Sequence, residues 1–146
     1  MINVAVMGFG TVGSGVVELI HANGERIARG AGDTVRVKYI LDVRDFDNSP
    51  YADLFVKDFA VIENDPEVSI VVETIGGVGV AQEFTRRALS AGKSVVTSNK
   101  ELVSEHGCEL LKIAAEKGVC YLFEASVGGG VPILHPLSAC LAGDEI

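Results

Sequence analysis

The chain has 146 residues, 48% hydrophobic and 22% charged, with a formal net charge of −8. That length suits one domain and allows roughly 70% of the unfolded surface to be buried, so no disulfide or metal is needed to hold a core. An acidic chain without a Lys/Arg cluster lacks the basic stripe that neutralises nucleic-acid phosphates. Nucleic acid is therefore excluded as a partner, and any bound phosphate must rest on backbone N–H groups and one or two cations. Met1-Ile2-Asn3-Val4 lacks the basic start of a signal peptide, and no apolar run approaches the roughly 20 residues of a membrane span. Cys108, Cys120 and Cys140 are odd in number and far apart, and read as reduced, mostly buried thiols. No Cys/His pair has zinc-ligand spacing. These features predict a cytoplasmic protein without a membrane partner.

Short apolar runs alternate with helical patterns along the chain, the signal for βαβ units and a parallel sheet. Ile2 to Met7 is a first strand ending at Gly8. A helix follows from about Thr11 to Ala28, with Val12, Val16, Leu19, Ile20 and Ile27 on one face. Gly30, Gly32 and Asp33 end it. Val35 to Val43 is a second strand, and residues 45–57 are loop-like. Phe59 to Ile62 is a short third strand, and Asn64-Asp65-Pro66-Glu67 is a helix start or tight turn. Ile70 to Thr74 is a fourth strand, apolar throughout its centre and so buried on both faces. Gly76, Gly77 and Gly79 break it. A helix from about Val80 to Ala91 closes at Gly92. Ser94 to Thr97 is a fifth strand, Ser104 to Lys117 a helix closed by Gly118, and Val119 to Phe123 a sixth strand. A glycine run at residues 128–130 precedes a last helix from about Pro132 to Leu141. The predicted fold is α/β, a Rossmann-type doubly wound, mainly parallel sheet in the order 3-2-1-4-5-6.

Gly8-Phe9-Gly10-Thr11-Val12-Gly13 is a G-x-G-x-x-G sequence placed directly after a strand and at the start of an amphipathic helix. In that context it predicts a dinucleotide site. Gly8 permits the tight turn, Gly10 lets a pyrophosphate approach the backbone, and Gly13 lets the helix pack close to the sheet. Thr11 and Val12 open the helix, whose N-terminal N–H groups and dipole favour anions. Asp42 stands at the end of the second strand, 29 positions after Gly13. The usual interval is about 20, and the glycine-containing connection before the strand accounts for the excess. Asp42 is placed to bond the ribose hydroxyls of NAD. Arg44 either pairs the 2′-phosphate of NADP or is a solvated charge at the strand end, and Lys57 is a weaker candidate to help it. The choice between NAD and NADP stays open. His21, His106 and His135 have no acid or nucleophile paired with them in sequence and read as structural or exposed.

Three blocks then carry a family resemblance: residues 8–13, residues 95–103 (Val-Val-Thr-Ser-Asn-Lys-Glu-Leu-Val), and residues 123–133 (Phe-Glu-Ala-Ser-Val-Gly-Gly-Gly-Val-Pro-Ile). With Val71-Val72-Glu73-Thr74-Ile75-Gly76-Gly77, they make the chain resemble the N-terminal, nucleotide-binding region of homoserine dehydrogenase. Ser98 departs mildly, standing where that family more often has alanine. The resemblance implies reversible hydride transfer between aspartate semialdehyde and homoserine with NAD or NADP. It implies that Lys100 lies near the nicotinamide as the catalytic lysine and a cofactor contact. Thr74, otherwise a strand-end turn residue, would line the nicotinamide side. Glu124, Val127, Gly129 and Val131 match positions that hold a monovalent cation such as Na⁺, largely through backbone oxygens; without the resemblance they read as a glycine-rich hinge. Residues 1–146 are then an NAD(P)-binding domain whose substrate and dimerisation part is absent. Such a chain would bind dinucleotide, take small-molecule substrate only with the missing part, and belong to a homodimer when complete. The alternative from another class is a stand-alone NAD(P)H-binding or sensor module without catalysis.

Overall fold

The computed structural model describes residues 1–140 of the chain. Its six strands are β1 (Ile2–Met7), β2 (Val35–Leu41), β3 (Phe55–Val56), β4 (Val68–Glu73), β5 (Ser94–Thr97) and β6 (Tyr121–Leu122). They form one sheet in the order β3-β2-β1-β4-β5-β6, and every pairing is parallel. The helices are α1 (Thr11–Ala22), α2 (Gly24–Ala31), α3 (Phe59–Glu63), α4 (Gly79–Ser90), α5 (Lys100–Lys117), α6 (Glu124–Gly128) and α7 (Leu134–Cys140).

Successive side chains of a strand point to opposite faces, and β1 uses both. Val4 and Val6 face Val17 of α1 and Ile40, while Ala5 and Met7 join the larger core against α3, α4 and α5. That larger core contains Phe59, Ile62, Ala81, Ala88, Leu89, Leu102, Leu110 and Ala114, all buried. Helices on both faces of a parallel sheet leave the carboxyl ends of the strands as the open edge where a site can form.

The order 3-2-1-4-5-6 is as the sequence predicts, but the third strand is not Phe59 to Ile62. Asp58 accepts the Ala60 N–H at 2.8 Å and caps a helix there, which puts Phe59 and Ile62 on one buried face. A strand would have sent one of them to solvent. The third strand is Phe55–Val56, within the stretch that reads as loop. The helix predicted from Thr11 to Ala28 breaks at Asn23 into α1 and α2. Its inner face also differs: Gly13 and Val17 are the buried residues of α1, whereas Val12 and Leu19 are exposed. The helix after β5 starts at Lys100 rather than Ser104, because Asn99 caps it through the Leu102 N–H at 3.1 Å. The sixth strand is shorter than predicted, and residues 124–128 form a helical turn rather than open glycine-rich chain. Cys108 and Cys120 are exposed, not buried: one lies on the outer face of α5 and the other in the turn that follows it. Cys140 lies outside the residues whose side chains are described. Among the described residues no helix is long and apolar enough to cross a membrane.

Candidate dinucleotide site

β1 is the strand at which the chain order reverses, since it feeds β2 on one side and pairs β4 on the other. The Gly8–Gly13 turn sits at its carboxyl end. Gly8 has φ +93°, and a Cβ there would lie 2.8 Å from the Thr74 carbonyl oxygen. A Cβ on Gly13 would fall 1.9 Å from the Gly8 carbonyl oxygen and 2.8 Å from Thr74 Oγ1. Both glycines are therefore required by the chain's own packing. Gly10 differs, for a Cβ there meets nothing within 4 Å. It is the N-cap of α1 and no side chain caps that helix, so the N-terminal N–H groups at Thr11 and Val12 face an open cradle. Such a cradle suits a pyrophosphate in both shape and charge.

Thr74 fastens the turn from beneath. Its hydroxyl lies 2.9 Å from the Met7 carbonyl and 3.0 Å from that of Gly8. It also borders two clefts, one on each side of the turn.

The first cleft, about 600 Å³, lies between the turn and the end of β2, with Asp42, Arg44 and Lys57 on its wall. Leu41, Val43, Ile75, Val80 and Phe84 give it apolar surface of the kind an adenine ring needs. Asp42 is buried and accepts the Phe9 N–H at 2.8 Å, which ties the turn to β2. Its carboxylate also takes the Arg44 backbone N–H at 2.9 Å, Nε at 3.0 Å and Nη2 at 2.8 Å. These bonds from Arg44, opposed by burial, hold the Asp42 carboxyl well below the usual carboxylate range. The Arg44 side chain is 59% exposed and lies 5.0 Å over the Phe46 ring. Lys57 bonds the Arg44 carbonyl and pairs Asp45 at 2.9 Å. Phe9, Phe46 and Phe55 pack edge-on and stacked at 4.8 to 5.1 Å, an aromatic floor that no motif in the sequence announces.

The second cleft, about 320 Å³, is lined by Val12, Thr74, Gly76, Gly77, Ser98, Asn99, Lys100 and Glu101. Lys100 is exposed there as the first residue of α5. The fold thus brings Gly8, Gly10, Asp42, Arg44 and Thr74 to one cleft and Val12, Thr74 and Lys100 to the other, with the glycine turn between.

Glu124, Val127, Gly129 and Val131 stand apart from both clefts. The Glu124 carboxylate is already engaged: it accepts the Ile133, Leu134 and His135 N–H groups, the last two at 2.8 Å, and so caps α7. These bonds, with that of Ile133 first, pull its carboxyl down. Gly129 turns the chain with φ 60°. No cluster of three His, Cys, Asp or Glu side chains able to hold a metal occurs among the described residues. His21 packs edge-on against Tyr51 at 5.7 Å, and His106 lies 3.5 Å from Glu109.

A glycine turn at the point of strand reversal, with an acid at the end of the next strand, defines a dinucleotide-binding domain of the doubly wound class. Residues 8–124 match the family described as homoserine dehydrogenase, NAD binding domain. The chain belongs to that family, and its cofactor is a nicotinamide dinucleotide. It is 40% identical over 149 residues to the homoserine dehydrogenase of Bacillus subtilis and 41% identical over 148 to that of Corynebacterium glutamicum. Each match covers 99% of this chain but only 34% and 33% of the relative, so the chain spans about a third of their length. The crystal structure of a homoserine dehydrogenase from Thiobacillus denitrificans superposes with a TM-score of 0.90 at 39% identity, over 97% of this chain and 33% of that one. A hyperthermophilic archaeal homoserine dehydrogenase in complex with NADPH superposes with a TM-score of 0.75 at 27% identity, over 93% of this chain and 47% of that one.

Proposed function

We propose that residues 1–146 are the NAD(P)-binding domain of an enzyme that interconverts aspartate semialdehyde and homoserine, a step in making threonine, methionine and isoleucine. The observation that carries this reading is the open, uncapped N-terminus of α1 at Gly10, with Asp42 beside it. Gly8, Gly10, Thr11, Val12 and Gly13 cradle the pyrophosphate. Asp42 takes the ribose hydroxyls. Arg44, swung off Asp42 and helped by Lys57, takes the 2′-phosphate of NADP; left where it is, it serves NAD.

Bound NAD(P)H supplies a hydride to the aldehyde carbon. Thr74 and Lys100 border the nicotinamide end. The Lys100 ammonium, on the cleft wall, donates a hydrogen bond or proton to the oxygen as it gains negative charge. The substrate pocket, a homodimer interface and catalytic turnover belong to the remainder of the full-length enzyme, a cytoplasmic protein. The 146-residue chain binds cofactor and is inactive alone.

A monovalent cation such as Na⁺ fits the loop at Glu124, Val127, Gly129 and Val131 in donor chemistry, since hard cations take oxygen ligands. With the Glu124 carboxylate given over to α7, the donors would be backbone oxygens of these four residues. The ion would brace the chain as it leaves β6.

Calorimetric titration of the chain with NADPH and NADH, beside a homoserine oxidation assay, tests the reading. Binding without turnover is the expected result. Failure to bind either at millimolar concentration would refute it.

A further inference from the structure

Glu73 ends β4 and is fully buried. A buried carboxylate is costly unless its oxygens are hydrogen-bonded, and here both are. Oε1 accepts the Ile75 N–H at 2.8 Å, and Oε2 accepts the Thr97 hydroxyl at 2.5 Å. Thr97 Oγ1 in turn accepts the Asn99 N–H at 2.9 Å, which leaves its own proton for Glu73. The Asn99 amide donates to the Gly77 carbonyl at 2.5 Å, while its oxygen caps α5. The backbone from Glu73 to Gly77 closes the ring. This ring joins the loop after β4 to the turn after β5, and those are facing walls of one cleft. Lys100 is the next residue after Asn99, so the ring sets where the backbone that carries it begins α5.

We propose that Glu73 is a positioning residue for the nicotinamide half of the cofactor site, acting through Thr97 and Asn99 on the two loops that carry Thr74, Gly77 and Lys100. The proposal rests on the reading of that cleft as the nicotinamide side. A residue needed only to fill the core would be apolar. An acid at this point is explained by its acceptor pattern, because two donors converge on it from two loops. Glutamine has the same shape, but with its oxygen kept for the Ile75 N–H its NH₂ faces Thr97, whose hydroxyl must then accept a second bond and loses the carboxylate oxygen that took its proton.

The test compares NADH with ADP-ribose, which lacks the nicotinamide ring, by calorimetric titration of the 146-residue chain. Wild type should bind NADH more tightly than ADP-ribose. Glu73→Gln should weaken NADH roughly tenfold and leave ADP-ribose within about twofold, as a loosened wall misplaces only the ring. Thr97→Val should behave likewise, and Thr97→Ser, which keeps the hydroxyl, should restore NADH binding. If Glu73→Gln does not fold, as judged by its melting curve, the Thr97 pair decides. Equal losses for both ligands, or no loss, overturn the proposal. Wild type that binds the two ligands equally overturns it while the dinucleotide reading stands, and wild type that binds neither sinks that reading too.

Discussion

Arg44 follows β2 and Glu73 ends β4, the two strands that flank β1, yet one side chain is 59% exposed and the other residue is fully buried. Arg44 lines one cleft beside the glycine turn, and Glu73 lies buried behind the wall of the other. On the Arg44 side the wall carries cations at the surface, Arg44 on the buried Asp42 carboxylate and Lys57 on the exposed Asp45. On the Glu73 side it is made of loops held by an internal ring of hydrogen bonds. Surface charges can rotate, exchange partners and be replaced with little effect on the fold. A buried ring fixes one geometry and tolerates little. The difference suits the two ends of a dinucleotide, one read for identity and the other held for reaction.

The largest expected effect removes the comparison altogether. In Gly13→Ala the new Cβ would meet the Gly8 carbonyl at 1.9 Å and must push α1 off the sheet. The cost should be about 1–3 kcal/mol of stability or more, with binding of NADH and NADPH lost together. Urea unfolding and titration check this, and a stable variant that still binds either dinucleotide would show that the turn is not their shared support. Next, Arg44→Ala should weaken NADPH about tenfold, the worth of one charge-assisted contact to the 2′-phosphate, and leave NADH nearly unchanged. Equal effects on the two would mean that Arg44 matters only through Asp42.

The smallest effect concerns acid. Asp42 ionises below the ordinary range in the folded chain, so its contribution to stability is complete above ~pH 4 and fades as pH falls through its lower folded value. Without the guanidinium that value rises toward the ordinary one, so Arg44→Ala should start less stable than wild type at ~pH 5 and lose less as pH falls, the two curves converging in acid. Melting temperatures from ~pH 5 down to ~pH 2 would reveal it. Parallel curves would show that Arg44 does not set the ionisation of Asp42.

What the sequence makes legible follows the same division. The Gly8–Gly13 turn is readable because local geometry imposes Gly8 and Gly13 within a fixed spacing, and β5 is readable residue for residue because Ser94 to Thr97 is bounded by Gly92 and Asn99. Asp42 and Arg44 are visible at a strand end, but not their mutual pairing. Phe59 to Ile62 misleads because four apolar residues fit strand or helix equally, and only the Asp58 cap decides. The break between α1 and α2 falls at Asn23-Gly24, a turn-forming pair masked in sequence by the apolar periodicity that runs on to Ile27. The Glu73, Thr97 and Asn99 ring is hidden for a different reason: Glu73 lies 24 residues from Thr97 and meets it only once β4 and β5 pair. The Glu124 carboxylate likewise looks free in sequence, while the fold commits it to capping α7.

The placement of Thr74 under the glycine turn has a consequence in time. β1 is made first, but both its neighbours come later, β2 from Val35 and β4 from Val68. Joining distant parallel strands means closing long loops before any pairing is gained, which makes such sheets slow to form. Gly8 lies against Thr74, whose hydroxyl reaches the Met7 and Gly8 carbonyls. The Gly8–Gly13 cradle therefore cannot take its final shape until synthesis has passed Thr74.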